Sequence, residues 1–312
     1  MLRPKHKRAI YFLLAAASLG INPGAFAQPI DVRLSDLQLL ARFEEAVALD
    51  VDPAGQLYVV DRGRHSIYKL SPEGEKLQEY GGPGQGEGQF DSPADIDATN
   101  GLVLVVADAG NGRIQRFSRE FLFLEMLPVG AFDARRNDAF GGEPVYRQRT
   151  QDLVGSGEGR PIDVITSSNN DMYAIDEVEN VVIKWDKNRN LEQYIGAYDQ
   201  GAGRLTEPAA LALGEDGTLF VGDRKEEAVF LYDAYGGFIR TMAEGLCAEV
   251  QSLFTSGEQL YIVLPDKMLH YQTSGMLENT IGVDTDTPLV DAAFLGDSWL
   301  LLTQKGLFRA VY

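Results

Sequence analysis

One pattern returns along this chain: an apolar strand, a turn with glycine, a second strand ending in aspartate, a loop of glycine or asparagine, and a third strand. Asp61 and Asp108 close two copies 47 residues apart, and Asp176 and Asp223 close two more at the same spacing. The 68 residues from Asp108 to Asp176 hold one such period and an insertion of 21. Two fainter copies follow, one through Gln259–Leu264 and Met268–Tyr271, the other through Ser298–Thr303 and Gly306–Tyr312. A unit of this length cannot bury its own apolar face, and a period of about 40 to 50 residues belongs to propeller blades. The spacing therefore predicts an all-β fold, a six-bladed β-propeller of four-stranded blades.

The last unit runs out of chain after its third strand, whereas Val32 to Phe43 is strand-like and precedes the first unit. That segment is expected to supply the missing outer strand, so that both ends of the chain meet in one blade and the ring leaves no open sheet edge at its seam.

Particular residues carry a resemblance to a known family. Pro93-Ala94-Asp95-Ile96-Asp97 precedes Val106-Ala107-Asp108, which is followed by Asn111-Gly112-Arg113-Ile114-Gln115-Arg116-Phe117; Gly81 to Phe90 is a glycine-rich connection between units. This pattern resembles NHL repeats, most closely in the first two units. The resemblance implies the six-bladed ring and leaves the function open.

The first 27 residues read as a cleaved signal peptide. Arg3, Lys5, Lys7 and Arg8 make a basic start, Ala9 to Leu19 is mostly apolar, and Ala25-Phe26-Ala27 has the small-residue cleavage pattern. Those 11 apolar residues are short of the roughly 20 that a membrane span needs. Residues 28–312 are expected to form one domain with an insertion at about 128–158, periplasmic or secreted, without a lipid-anchor cysteine or a transmembrane anchor, and monomeric. The single cysteine, Cys247, cannot form an internal disulfide and is expected to be a small buried residue.

The formal net charge is −18, and −22 once the four basic residues of the leader are gone. A charge of that sign argues against nucleic acid or an anionic membrane as partner. The glycine run Gly81 to Gly88 leads into a strand rather than a helix, so it lacks the context of a phosphate loop.

Three groups of residues are candidates for a role. Asp61, Asp108, Asp176 and Asp223 recur once per unit, as structural turn residues do; each should accept loop amides, and Asp108→Ala should cost about 1 to 3 kcal/mol. Asp95, Asp163 and Asp291 fall near the beginnings of the innermost strands, with Glu45 and Gln251 as less certain neighbours. Facing a central channel, these carboxylates could hold Ca²⁺, although no cofactor is otherwise indicated. The insertion carries Arg135, Arg136, Arg147 and Arg149, and the loops expected on the same face carry Arg62, His65 and Arg224. Together they suggest a basic face for a protein, peptide or carbohydrate partner. Arg64 and Arg113 are read as the arginine of the repeat itself.

The leading functional expectation is an exported binding or scaffold module that uses this loop face. The alternative is a calcium-dependent propeller hydrolase, lactonase or lyase acting at the channel. Histidine zinc is disfavoured because only His65 and His270 follow the leader, whereas catalytic zinc takes three protein ligands.

Overall fold

The computed structural model describes residues 30–130 and 159–310. They form six blades of four antiparallel strands, one of which gains a fifth strand, and helix among them is limited to single 3-10 turns such as Ala109–Asn111. Blades 1 to 4 follow the chain, with inner strands Ala46–Val51, Pro93–Asp97, Pro161–Thr166 and Pro208–Leu213 and outer strands Lys76–Gly81, Phe123–Pro128, Leu191–Ile195 and Phe238–Met242. Blade 5 runs from Ser252–Ser256 outward to Leu277–Asp284, and blade 6 begins with Leu289–Leu295. Each inner strand packs beside the inner strand of the next blade, and that of blade 6 returns to blade 1, so the ring is closed.

The segment near the start serves two blades rather than one. Gln38–Arg42 pairs antiparallel with Gly306–Ala310 and completes blade 6, as the missing strand required. Ile30–Arg33 departs from the expectation: it lies parallel to Leu277–Asp284 and adds a fifth strand to blade 5. The 3-10 turn Leu34–Asp36 breaks the segment between its two pairings.

Burial follows radius. Second strands such as Leu57–Asp61 and Leu219–Asp223 are buried at every position, and the outer strand Lys76–Gly81 is almost wholly exposed. Continuous apolar runs in the middle strands are what sheets covered on both faces require. Six apolar clusters fill the clefts, each shared by two neighbouring blades; Tyr58 and Ile67 of blade 1, for example, meet Leu104, Val106 and Phe117 of blade 2. Each buried side chain of this size contributes roughly 1.5 to 3 kcal/mol, so the blades hold one another rather than themselves.

Two glycines are required by close approach. Gly74 (φ 89°) ends a turn of blade 1 against the closing strand, where a Cβ would come within 2.7 Å of the Leu40 side chain. Gly81 (φ 114°) leaves blade 1 beneath Phe90, where a Cβ would also meet atoms at 2.7 Å.

The aspartates at the ends of the second strands all accept amides from the segment that leads into their own inner strand. Asp61 takes Glu44 and Glu45 N–H at 2.8 Å, Asp176 takes Arg160 N–H at 2.9 Å, and Asp223 takes those of Thr206 and Glu207 at 2.7 and 3.0 Å. Asp176 and Asp223 also bind amides of the following loop. Asp108 does more. It accepts Asp91 N–H, the Asn111 amide, the Gln115 amide and, at 2.7 Å, Arg113 Nε. The remaining guanidinium nitrogens of Arg113 donate to the carbonyls of Gln85, Gly86 and Gln89, which makes the glycine-rich connection part of blade 2. Sequence reading equated Arg64 with Arg113, and the register corrects this: Asp61 faces Ser66 where Asp108 faces Arg113, so Ser66 is the counterpart and Arg64 lies in the preceding turn.

Because Asp108 neutralises a buried guanidinium, its removal should exceed the 1 to 3 kcal/mol read from sequence. Asp108→Ala is expected to lose about 3 to 5 kcal/mol in urea unfolding, and Asp176→Ala, which frees only amides, about 1 to 3. Equal losses in the two variants would contradict this account.

Candidate functional site

The inner strands carry the site because alternate residues of each point at the axis. In blades 1, 2, 3, 4 and 6 a register shift interrupts the pairing of the inner strand near its start, between Ala46 and Ala48 in blade 1 and between Pro93 and Asp95 in blade 2. Counting from these bulges, the first axial tier is Ala48, Asp95, Asp163, Ala210, Ser252 and Asp291. Two residues further on, the second tier is Asp50, Asp97, Ile165, Ala212, Phe254 and Ala293. A cavity of about 770 Å³ is bounded by the second tier, by Asp95, Asp163, Ser252 and Asp291 of the first, and by the ends of the inner strands and the first turns beyond them, whereas Ala48 and Ala210 are buried in the clefts between blades.

The structure thus brings Asp95, Asp163 and Asp291 together, and adds Asp50 and Asp97, which the sequence reading missed. The spacing Asp95-x-Asp97 on one strand was the available signal for Asp97. Glu45 and Gln251 do not line the cavity. Glu45 binds Arg62, and Gln251 donates to the Glu249 carbonyl. The cavity also opens at the opposite end from that expected, where the inner strands finish: its rim includes Asn100, Ser167, Asn169 and Ser256.

Each axial carboxylate is anchored by the next blade. Asp291 Oδ2 accepts Leu49 N–H at 2.7 Å, Asp50 Oδ2 accepts Ala98 N–H at 2.5 Å, Asp95 Oδ2 accepts Val164 N–H at 2.8 Å and Asp163 Oδ2 accepts Leu211 N–H at 2.9 Å. Asp97 is 3% exposed and takes the Thr99 amide and hydroxyl on Oδ1. The hydroxyl and amide of Thr166 lie close enough to lower its pKa, yet neither Asp97 Oδ2 nor Thr166 Oγ1 closes a well-formed hydrogen bond.

Burial raises the pKa of all five groups, and neighbouring carboxylates push Asp50, Asp95 and Asp163 further. Asp291 is pushed up to about 6, chiefly by burial, against hydrogen bonds from Ser252 and two amides. Asp163 is pushed up to about 7 by burial and by Asp291 and Asp97, despite its bonds from Leu211 N–H and the Asp95 side chain. Asp95 and Asp163 retain partial exposure because they border the cavity, and water there tempers the effect.

Calcium needs six to eight oxygens converging on one point. Among the described residues no three His, Cys, Asp or Glu side chains are spaced to hold a metal ion, and Asp95, Asp163 and Asp291 each already bind an amide.

On the other face, Arg135, Arg136, Arg147 and Arg149 lie outside the described residues. Arg62 is bound to Glu45, His65 Nδ1 accepts Ser92 N–H at 3.0 Å, and Arg224 donates twice to the Val250 carbonyl at 2.8 and 3.0 Å. These three serve the connections between strands and blades. Cys247 is buried, and burial pushes its thiol up to about 12, which leaves it unreactive at neutral pH.

The axial acids should make stability fall as pH rises. A carboxyl whose pKa is higher folded than unfolded stabilises the fold fully below its unfolded value near 3.8, and loses that contribution as pH climbs through its folded value, here about 6 for Asp291. That single group is worth about 2 to 3 kcal/mol across the window. The melting temperature is expected to drop between about pH 4 and 7, by this linkage. Asp291→Asn, which keeps an acceptor for Leu49 N–H, should shrink the drop, and an unchanged slope in that variant would contradict the assignment.

A family model for the NHL repeat matches residues 90–117, from Phe90 through Asp108 and Arg113 to Phe117. No curated protein sequence matches the chain significantly. Solved structures do match in form. A catalytically inactive histidine-to-alanine variant of virginiamycin B lyase from Staphylococcus aureus, with quinupristin, has a TM-score of 0.62 at 11% identity, over 88% of this chain and 98% of that one. A streptogramin B lyase has a TM-score of 0.60 at 11% identity, over 88% and 96%. A protein provisionally named a gluconolactonase has 0.61 at 14%, over 87% and 90%. Identities this low bear on fold alone. Repeat, ring and match agree that this chain is a six-bladed β-propeller, with an NHL repeat at residues 90–117.

Proposed function

We propose that this protein is a ligand-binding propeller whose site is the acid-floored cavity on the axis. The observation that carries the reading is the cavity itself: about 770 Å³, open at one end, with convergent carboxyl and hydroxyl groups in its walls. Small-molecule sites have this size and this mixture of apolar wall and few polar groups. The export signal read in the first 27 residues extends the proposal to a ligand met outside the cytoplasm.

Binding is favoured over catalysis by what the cavity contains. The similar lyase is inactive when one histidine is replaced. His65 and His270, the histidines of the described region, lie elsewhere: His65 is in a loop of the other face, and His270 stacks on Tyr261 at 4.6 Å in the third strand of blade 5. An acid-catalysed hydrolysis is the second reading, favoured by Asp163, which holds a proton close to neutral pH and could donate it to a leaving group.

The test is a small-molecule screen by thermal shift on the full chain, repeated on Ala293→Trp, which places an indole in the second tier. Ligands of the axial cavity should stabilise the parent and lose at least most of that shift in the variant. Compounds that stabilise both equally would place binding elsewhere. Turnover of any lactone in the same screen, abolished by Asp163→Asn, would move the second reading ahead.

A further inference from the structure

The cavity is chemically divided. In the second tier, Asp50 and Asp97 stand on the adjacent blades 1 and 2, and the other four positions are Ile165, Ala212, Phe254 and Ala293. In a ring of six, blade 5 lies across the axis from blade 2, so Phe254 stands opposite Asp97. Phe254 is fixed there by neighbouring rings: it stacks on Tyr261 at 4.8 Å and meets Phe294 edge-on at 5.6 Å. Phe294 also lines the cavity. At the level of the second tier, one side is therefore carboxylic and the other aromatic.

The charge of the lining has one sign. It includes eight carboxyl side chains and, among the described residues, no lysine, arginine or histidine. An anionic ligand would meet only repulsion. Asp97, 3% exposed and lining the cavity, keeps Oδ2 without a hydrogen bond. The hydroxyl of Thr166, which also lines it, likewise closes no well-formed hydrogen bond. A buried acceptor left open is costly unless something else binds it. Carboxyl groups crowded in this way are relieved by an arriving positive charge, which lets protons leave them.

We propose that the cavity receives a small organic cation, an ammonium or guanidinium group on an apolar body, with its head against Asp50 and Asp97 and its body against Phe254. The inference rests on the axial-cavity reading above and names the ligand class for it. Both halves of the chamber are used: charge-assisted hydrogen bonds hold the head, and the ring face of Phe254 offers apolar area and attraction to a cation.

Three probes of one shape test it on the full chain by calorimetry: 4-phenylbutylammonium, the neutral 4-phenylbutanol and the anionic 4-phenylbutyrate. The ammonium compound is expected to bind on the order of tenfold more tightly than the alcohol, the scale of one charged contact, and the anion not at all. Asp97→Asn and, separately, Asp50→Asn should reduce the preference for the ammonium, while Phe254→Leu should weaken ammonium and alcohol alike. Two substitutions on the acid side keep the test decisive if one variant fails to fold. Preferential binding of the alcohol or the anion, in a manner abolished by Ala293→Trp, would overturn the cationic class and leave the cavity as the binding site. A preference for the ammonium compound that survives both Asn variants, or in Ala293→Trp, would overturn the placement. Failure of all three to bind at millimolar concentration, or displacement of the ammonium compound by calcium chloride at equal ionic strength, would also overturn it.

Discussion

Side-chain carboxylates that accept backbone amides set the geometry of this ring at two places, and the rest of the architecture depends on them. Near the axis, Asp291, Asp50, Asp95 and Asp163 each reach to the inner strand of the following blade. At the ends of the second strands, Asp61, Asp108, Asp176 and Asp223 hold the segments that enter the inner strands. Hydrogen bonds to an ionised acceptor are stronger and more directional than those between neutral groups. Apolar packing in the clefts supplies most of the cohesion but fixes no register along the axis. The carboxylates fix it. Between blades 4 and 5, where alanines occupy the axial positions, the direction reverses: Thr255 on blade 5 donates to the Leu213 carbonyl on blade 4.

The axial set pays for this order with crowding. Amides favour the ionised form of each carboxyl, whereas burial and the neighbouring carboxyls favour the protonated one, and at Asp163 and Asp291 the second influence prevails. Asp108 meets burial differently, with a guanidinium beside it. The contrast separates a structural acid from an available one: Asp108 is saturated by its own chain, whereas the axial acids border open space and Asp97 keeps Oδ2 without a well-formed hydrogen bond. Unused capacity of that kind is where local rules yield to function.

Much of the fold was legible because repetition is readable without knowing any contact. A 47-residue spacing between Asp61 and Asp108 announces a blade, and a third strand with no successor announces a closure from the other end. The site was legible only in part. Asp95, Asp163 and Asp291 were found by aligning units, but the same alignment chose Glu45, three residues before Ala48, and Gln251, one before Ser252, and a shift of one place already turns a strand residue to its other face. Arg64 was taken for the counterpart of Arg113 for a similar reason, since the short turn between the second and third strands hides the register. The mouth of the cavity could not be read from sequence, because which end of a channel is open depends on loops whose packing no single unit encodes.

The seam in blade 6 joins Gln38 to Arg309, so its pairing links residues separated by nearly all of the described chain. Such a contact carries the largest loop-closure entropy in the molecule and cannot form until the last strand exists. Five blades can zip outward from local hairpins, but the early strand must wait unpaired, with Ile30–Arg33 lying against blade 5 as the nearest shelter for its backbone. Assembly is therefore expected to end with a slow step in which one strand finds its place at the outer edge of blade 6.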